Sequence, residues 1–116
     1  MDKLITPLIT LIFVASGSAK LLGLEFELAA FERWGYPLWF MYFTGVIEVV
    51  GGLTLWVKRL RLITSLGLNC VMIGAMATHL FNAEWPMLGA ATVIFALTLM
   101  STWRFKNISH GDKLVG

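Results

Sequence analysis

A few polar side chains stand inside otherwise apolar stretches of this sequence, and they are the residues that could do chemistry. Glu48 lies near the middle of the apolar run 37–57, while Asn69 and His79 share one helical face of the run 62–81. Ser16 and Lys20 lie four residues apart in the first run, so on a helix they are neighbours. A carboxylate and an imidazole can exchange protons, and lysine and amide groups can bind a polar head group. These residues predict a polar pocket inside a membrane.

The elements that would hold this pocket follow from composition. Hydrophobic residues make up 58% of the chain and charged ones 14%, against about 25% charged in an ordinary soluble domain. A bilayer core requires about 20 apolar residues per helix. Four runs meet this requirement, at about 4–22, 37–57, 62–81 and 86–103, and Gly23 is expected in the C′ position that ends the first. A polar tail, 104–116, follows and is expected to be loosely ordered. The sequence predicts one all-α domain, a polytopic four-helix up-down bundle.

The distribution of basic residues predicts the orientation of this bundle. With four spans, the N-terminus, the turn at 58–61 and the tail lie on one side, and they hold seven of the nine Lys and Arg residues. The positive-inside rule then places both termini in the cytoplasm and the protein in the inner membrane. All five Trp residues fall at predicted helix ends or in the adjoining turns, where an aromatic belt belongs.

The segment between the first two spans, residues 24–34, allows two interpretations. Leu24, Leu28 and Phe31 recur at helical spacing, with Glu25 and Glu32 on the opposite side. This pattern favours a short amphipathic helix in the membrane interface. A solvated loop is the alternative.

The depth of each polar group in the bilayer predicts its partners. At about 1.5 Å per residue, Glu48 lies roughly 16 Å and Asn69 roughly 18 Å from the outer surface, so these two could share a hydrogen bond. Ser16 lies at roughly 12 Å, whereas Lys20 and His79 lie within roughly 6 Å of that surface. A direct Lys20–Glu48 ion pair would therefore require helix tilt. Glu48 is interpreted as facing a ligand, with a structural pair to Asn69 as the alternative.

Several chemistries have no support in the sequence. The single Cys70 cannot form an internal disulfide and is predicted to be a buried, inert thiol. There is no Cys and His cluster spaced for a metal and no haem or flavin motif. A net charge of +2 gives no reason to expect nucleic acid as a partner. These observations favour a binding protein or accessory subunit over a self-contained enzyme, and no catalytic residue is assigned.

The chain resembles the DoxX-like family of small four-helix membrane proteins over nearly all of residues 4–103. The resemblance rests on four short motifs: Gly17, Lys20 and Leu21; Gly35-Tyr36-Pro37; Gly45-x-x-Glu48-x-x-Gly51-Gly52; and Gly74 with His79. It implies a compact bundle with a polar site between the first three spans. The candidate ligand-binding residues are Ser16, Lys20, Tyr36, Glu48, Asn69 and His79.

Two functions of different classes remain open. In the first, the pocket binds a quinone- or lipid-like molecule in support of a membrane redox partner, because the family's name comes from a component linked to thiosulfate:quinone oxidoreduction. In the second, the protein is a non-enzymatic accessory or assembly chaperone that packs small-residue faces against a client membrane protein or a second copy of itself. The polar cluster would then only specify the fold.

Overall fold

The structure is a computed structural model that describes the backbone of residues 2–115 and the side chains of residues 4–107. Within that part of the chain, all regular structure is helical. The five helices are α1 (Asp2–Leu21), α2 (Glu25–Trp34), α3 (Leu38–Thr54), α4 (Arg61–Phe81) and α5 (Trp85–Val115). The all-α prediction is confirmed, and the ambiguous segment 24–34 is a helix.

Three of these helices, α1, α4 and α5, are long and apolar enough to cross a bilayer. The remaining apolar run, predicted at 37–57, forms the 17-residue α3, which ends at Thr54. Leu55, the residue that follows, is only 1% exposed. Arg61 Nε donates to the Leu55 carbonyl oxygen at 3.1 Å and so satisfies a carbonyl at the helix end.

The last helix is longer than the sequence predicts. The expected loose tail at 104–116 continues α5 as helical backbone through Val115. No proline follows Trp103, and the first glycine after it is Gly111, so nothing near Trp103 ends the helix. The side chains of 108–116, and that of Lys3, which contributed to the predicted orientation, lie outside the described residues.

Tight turns at the ends of α1 and α2 place the short α2 against the rest of the chain. Gly23 and Gly35 adopt φ of +63° and +80°, which glycine allows at little cost. The Leu24 N–H donates to the Ala19 carbonyl, and the Gly23 N–H donates to that of Lys20. This is the Schellman pattern that the sequence predicts at Gly23.

The long helices pack as two pairs, α1 with α3 and α4 with α5, with fewer contacts between the pairs. Away from α2, the pairs meet in a core of large side chains that includes Ile9, Phe13, Leu55, Leu68 and Phe105. Towards α2 the pairs separate, and the space between them is the cavity described below.

Large apolar side chains also cover the outside of the molecule. Leu11, Leu53, Ile73 and Val93 are 67%, 54%, 54% and 62% exposed, and they come from all four long helices. Apolar surface of this extent would aggregate in water and indicates contact with lipid. The chain is therefore a membrane protein.

Candidate functional site

A cavity of about 1250 Å³ lies at the end of the molecule where α2 packs, and all five helices contribute to its walls. Most of the lining is aliphatic or aromatic. The polar exceptions include Ser16, Lys20, Glu27 and Glu48 on one side and Tyr36, Thr78 and His79 on another. An apolar cavity with few, convergent polar groups is typical of a small-molecule site.

The first polar group is centred on the Lys20 ammonium. Its nitrogen lies 2.8 Å from Ser16 Oγ, 3.1 Å from Glu27 Oε2 and 3.0 Å from Glu48 Oε1. An ammonium has three N–H donors, so these three oxygens match its full donor capacity. Lys20, Glu27 and Glu48 are only 9%, 8% and 4% exposed. We call these four residues the Lys20 cluster.

The direct Lys20–Glu48 pair corrects the depth estimate, which separated these residues. Helices α1 and α3 approach each other so closely at Gly17 and Gly45 that a Cβ added to Gly17 would lie 2.6 Å from the Gly45 carbonyl oxygen. Small residues permit such an approach in membrane helices. With the backbones in contact, the flexible Lys20 stem reaches one turn deeper along α3 to the carboxylate.

Glu27 is a site residue that the sequence interpretation missed. On the apolar face that the sequence predicts, Leu24 and Leu28 are 41% and 38% exposed, whereas Phe31 is buried. The face turned inward consists of Glu27, Ala30 and Phe31. Glu27 lies three residues after Leu24 and four before Phe31, so helical spacing could have placed it on the inner face.

The second polar group surrounds Glu84, in the turn before α5. Its carboxylate accepts hydrogen bonds from Arg33 Nε at 3.0 Å and from Trp34 Nε1 at 2.9 Å. His79 Nδ1 lies 2.9 Å from Glu84 Oε1, the same oxygen that accepts the hydrogen bond from Trp34. With Nδ1 engaged by the carboxylate, the His79 Nε2 is left for other partners. Glu84, which sequence reasoning did not select, thus orients the predicted His79 and anchors the end of α2.

An aromatic cluster joins these two polar groups. The ring centroid of Phe31 lies 5.1 Å from that of Trp34 and 6.3 Å from that of Phe40. The hydroxyl of Tyr36 lies 2.7 Å from Thr78 Oγ1, which itself donates to a backbone carbonyl, so Tyr36 serves as the donor. This predicted site residue therefore links the start of α3 to α4 across the cavity wall.

Asn69 does not join this site, and its predicted bond to Glu48 is wrong. Its amide nitrogen donates to Thr102 Oγ1 at 2.8 Å, between α4 and α5, and it does not line the cavity. Its Oδ1 is buried without a partner among the described residues. Ser65 and Thr98 are also buried, so α4 and α5 pack through small polar side chains. A shared depth placed Asn69 near Glu48, but its side of α4 turns towards α5.

Cys70 also differs from its prediction as a buried thiol. Its side chain is exposed and contributes to the cavity wall. Among the described side chains, no three His, Cys, Asp or Glu residues are grouped to hold a metal ion. The Cys70 side chain is a free thiol on the cavity surface.

The Glu84 carboxylate makes stability depend on pH. Burial favours its neutral form, but hydrogen bonds from His79, Arg33 and Trp34 outweigh burial and lower the pKa of Glu84 below its ordinary value of 4.5. A depressed pKa in the folded state stabilises the protein above the unfolded value, and this contribution is lost as pH falls through the folded value. We expect Glu84→Gln to lower the melting temperature near neutral pH, with the deficit shrinking below pH 4.5. Thermal unfolding in mild detergent measures this, and a deficit independent of pH would contradict it.

The fold and the site define a small helical membrane protein with an amphipathic cavity. The model of the DoxX-like family matches residues 4–101, and the chain belongs to that family. It is also similar to a Bacillus subtilis (strain 168) protein, Uncharacterized protein YdgD, with 26% identity over 88 residues, which cover 72% of this chain and 77% of the relative. No solved structure matches the chain.

Proposed function

We propose that the protein binds a quinone- or lipid-like molecule in the cavity, with the polar head at the Lys20 cluster and the apolar body among the helices. The cavity of about 1250 Å³ carries this proposal. Pockets of about 300–1,000 Å³ hold drug-sized ligands, so this one can take a larger apolar molecule. The link to a membrane redox partner comes from the family resemblance.

The proposed arrangement in the inner membrane has four crossing helices, both termini in the cytoplasm and α2 at the outer surface. It is supported by the Arg61 guanidinium, which lies 5.4 Å from the Phe105 ring centroid and so brings the α3–α4 turn and the far part of α5 to one end. That end carries Lys58, Arg59, Arg61, Arg104 and Lys106. Basic residues of this kind face the cytoplasm in membrane proteins.

A quinone or lipid head would meet groups that can both donate and accept hydrogen bonds. Ser16 supplies a hydroxyl, the two carboxylates of the cluster supply acceptors, and His79 can exchange a proton. In this proposal the protein holds and orients its ligand for a partner, and the partner carries the electrons.

Protection of Cys70 from a membrane-permeant maleimide tests ligand binding at this site. Cys70 lines the cavity, so decylubiquinone bound there should slow its labelling. Gly74 lines the cavity, and nothing lies within 4 Å of a Cβ added to it. Gly74→Phe should therefore fill the cavity and remove the protection of Cys70. Glu48→Gln should weaken protection by decylubiquinone about tenfold, because it removes a charged hydrogen-bond acceptor. Native mass spectrometry of the gently purified protein should show the retained molecule.

Gly67→Phe is the matched control, because Gly67 is exposed, has open space beside it and does not line the cavity. Protection in this variant should equal that of the natural protein. Protection that persists in Gly74→Phe, or a molecule retained equally by both variants, would refute the cavity as the site.

The same pair of variants tests an accessory role. Gly67 and Gly89 are exposed, and no atoms outside their immediate neighbourhood lie within 4 Å of an added Cβ, so they present small-residue surface to a client protein or a second copy. If that surface carries the function, Gly67→Phe should remove a co-purifying membrane protein and Gly74→Phe should retain it. The reverse result would favour ligand binding.

A further inference from the structure

The Lys20 cluster holds an unequal number of charges. Lys20 faces two carboxylates, Glu27 and Glu48, and none of the three residues is more than 9% exposed. Glu48 alone would balance the ammonium. Glu27, which α2 brings to the same nitrogen, therefore adds a second carboxyl group, and a buried site holds it ionised only at a cost unless another cation joins it.

The other charged groups around the cavity do not offset this excess. Among the described side chains that line it, Arg33 is the second cation, and both its Nε and a terminal nitrogen donate to Glu84 Oε2, at 3.0 and 2.6 Å. His79 lies against the same carboxylate through Nδ1, and the Tyr36 hydroxyl is bonded to Thr78. The excess therefore stays at the Lys20 cluster. In surroundings of low dielectric, an unbalanced charge is costly.

The aromatic wall provides a second, independent preference. Phe31 lies one turn after Glu27 on the buried face of α2, and its ring is 6.1 Å from Tyr36 and 6.3 Å from Phe40. The cavity lining includes Phe31, Trp34, Tyr36, Trp39, Phe40 and Phe43. Aromatic faces attract cations, and clusters of them form the binding cages for quaternary ammonium groups.

We infer that the cavity selects an amphiphile with a net positive head, an alkylammonium, whose charge lies between Glu27 and the neighbouring aromatic rings and whose apolar chain occupies the rest of the cavity. This inference rests on the proposed function and names the class of ligand. An anionic head would add to the excess negative charge, and a zwitterionic head would leave it unchanged. A neutral quinone would occupy the cavity without using Glu27.

Four amphiphiles with the same twelve-carbon chain test this inference in phosphatidylcholine nanodiscs. They are dodecylammonium, dodecanol, dodecanoate and lauroyl lysophosphatidylethanolamine. Protection of Cys70 from maleimide should require about tenfold less dodecylammonium than dodecanol, and dodecanoate should protect least. The zwitterionic lipid should protect no better than dodecanol.

Glu27→Gln should reduce the preference for dodecylammonium over dodecanol from about tenfold to the smaller factor that the aromatic rings contribute, because it leaves Lys20 and Glu48 as a balanced pair. Glu32→Gln is the matched control, since Glu32 lies on the same helix but is exposed and does not line the cavity. If Glu27→Gln fails to fold, Glu48→Gln removes the same charge. One contrary result in the natural protein is that dodecylammonium protects Cys70 only as well as dodecanol does, and another is that it protects only as well as the zwitterionic lipid does. Either result would overturn the charge preference and leave cavity binding intact. Failure of all four probes and of decylubiquinone would refute the proposed function itself.

Discussion

Replacement of Lys20 by methionine should lower the free energy of unfolding by about 3–5 kcal/mol. Methionine has a similar length, so the change removes the ammonium with little loss of packing. Glu27 and Glu48 would then face each other as buried carboxylates without the cation that now lies 3.1 and 3.0 Å from them. Removing one partner of a buried pair costs more than the pair contributes, because the remaining charge is left in a medium of low dielectric. Denaturation in mild detergent measures the loss.

Neutralising the carboxylates in the same chain should restore most of that stability. The triple variant Lys20→Met, Glu27→Gln, Glu48→Gln has no unbalanced charge, and replacing buried ion pairs by neutral groups is often tolerated. Lys58→Met is the control for loss of a surface lysine, since Lys58 is exposed, and it should change stability by less than about 0.5 kcal/mol. If Lys20→Met alone is as stable as Lys58→Met, the ammonium of Lys20 does not stabilise the fold and the prediction is wrong.

Gly17→Ala should have the second largest effect, a loss of about 1–3 kcal/mol in the free energy of unfolding. An added methyl at this position meets the Gly45 carbonyl oxygen at 2.6 Å and the Val49 backbone nitrogen at 2.9 Å. Both contacts are to the backbone of α3, which cannot rotate away as a side chain can. The helices must therefore separate, and we expect a large fall in the melting temperature.

Gly67→Ala offers the same chemical change without the clash, because no atom outside its immediate neighbourhood lies within 4 Å of the new Cβ. Alanine favours helix over glycine by about 1 kcal/mol, so this control should be neutral or slightly stabilising. Separation of α1 from α3 also moves Lys20 away from Glu48, so Gly17→Ala should weaken ligand protection of Cys70 as well. Equal stability of the two alanine variants would contradict the close packing of α1 and α3.

The two polar groups together explain how α2 keeps its position. Near its start, Glu27 is bonded to Lys20 on α1. At its end, Arg33 and Trp34 are bonded to Glu84, beyond α4. A ten-residue helix is marginal alone, so these tertiary bonds and the buried Phe31 hold it against the cavity. The Lys20 cluster is thus both part of the proposed binding site and part of what holds α2 against it.

The sequence determined the features that depend on local pattern. Apolar runs interrupted by turns predict helices, and Gly23 predicts the end of α1 because only glycine adopts a positive φ at little cost. Glu48, Lys20, Ser16 and His79 stand out because a polar group in an apolar helix must find a partner, and the family resemblance adds Tyr36. The structure places all five on the cavity wall.

The tertiary structure alone decided which partner each group has. Distance along a helix gives depth, but it gives neither the tilt of two helices nor the direction in which a face turns. For that reason the sequence separated Lys20 from Glu48, which are in contact, and paired Glu48 with Asn69, which turns to Thr102. Glu27 and Glu84 escaped attention because carboxylates near chain turns are usually solvated. They become site residues only when α2 folds back over the cavity, and that packing is a property of the whole chain.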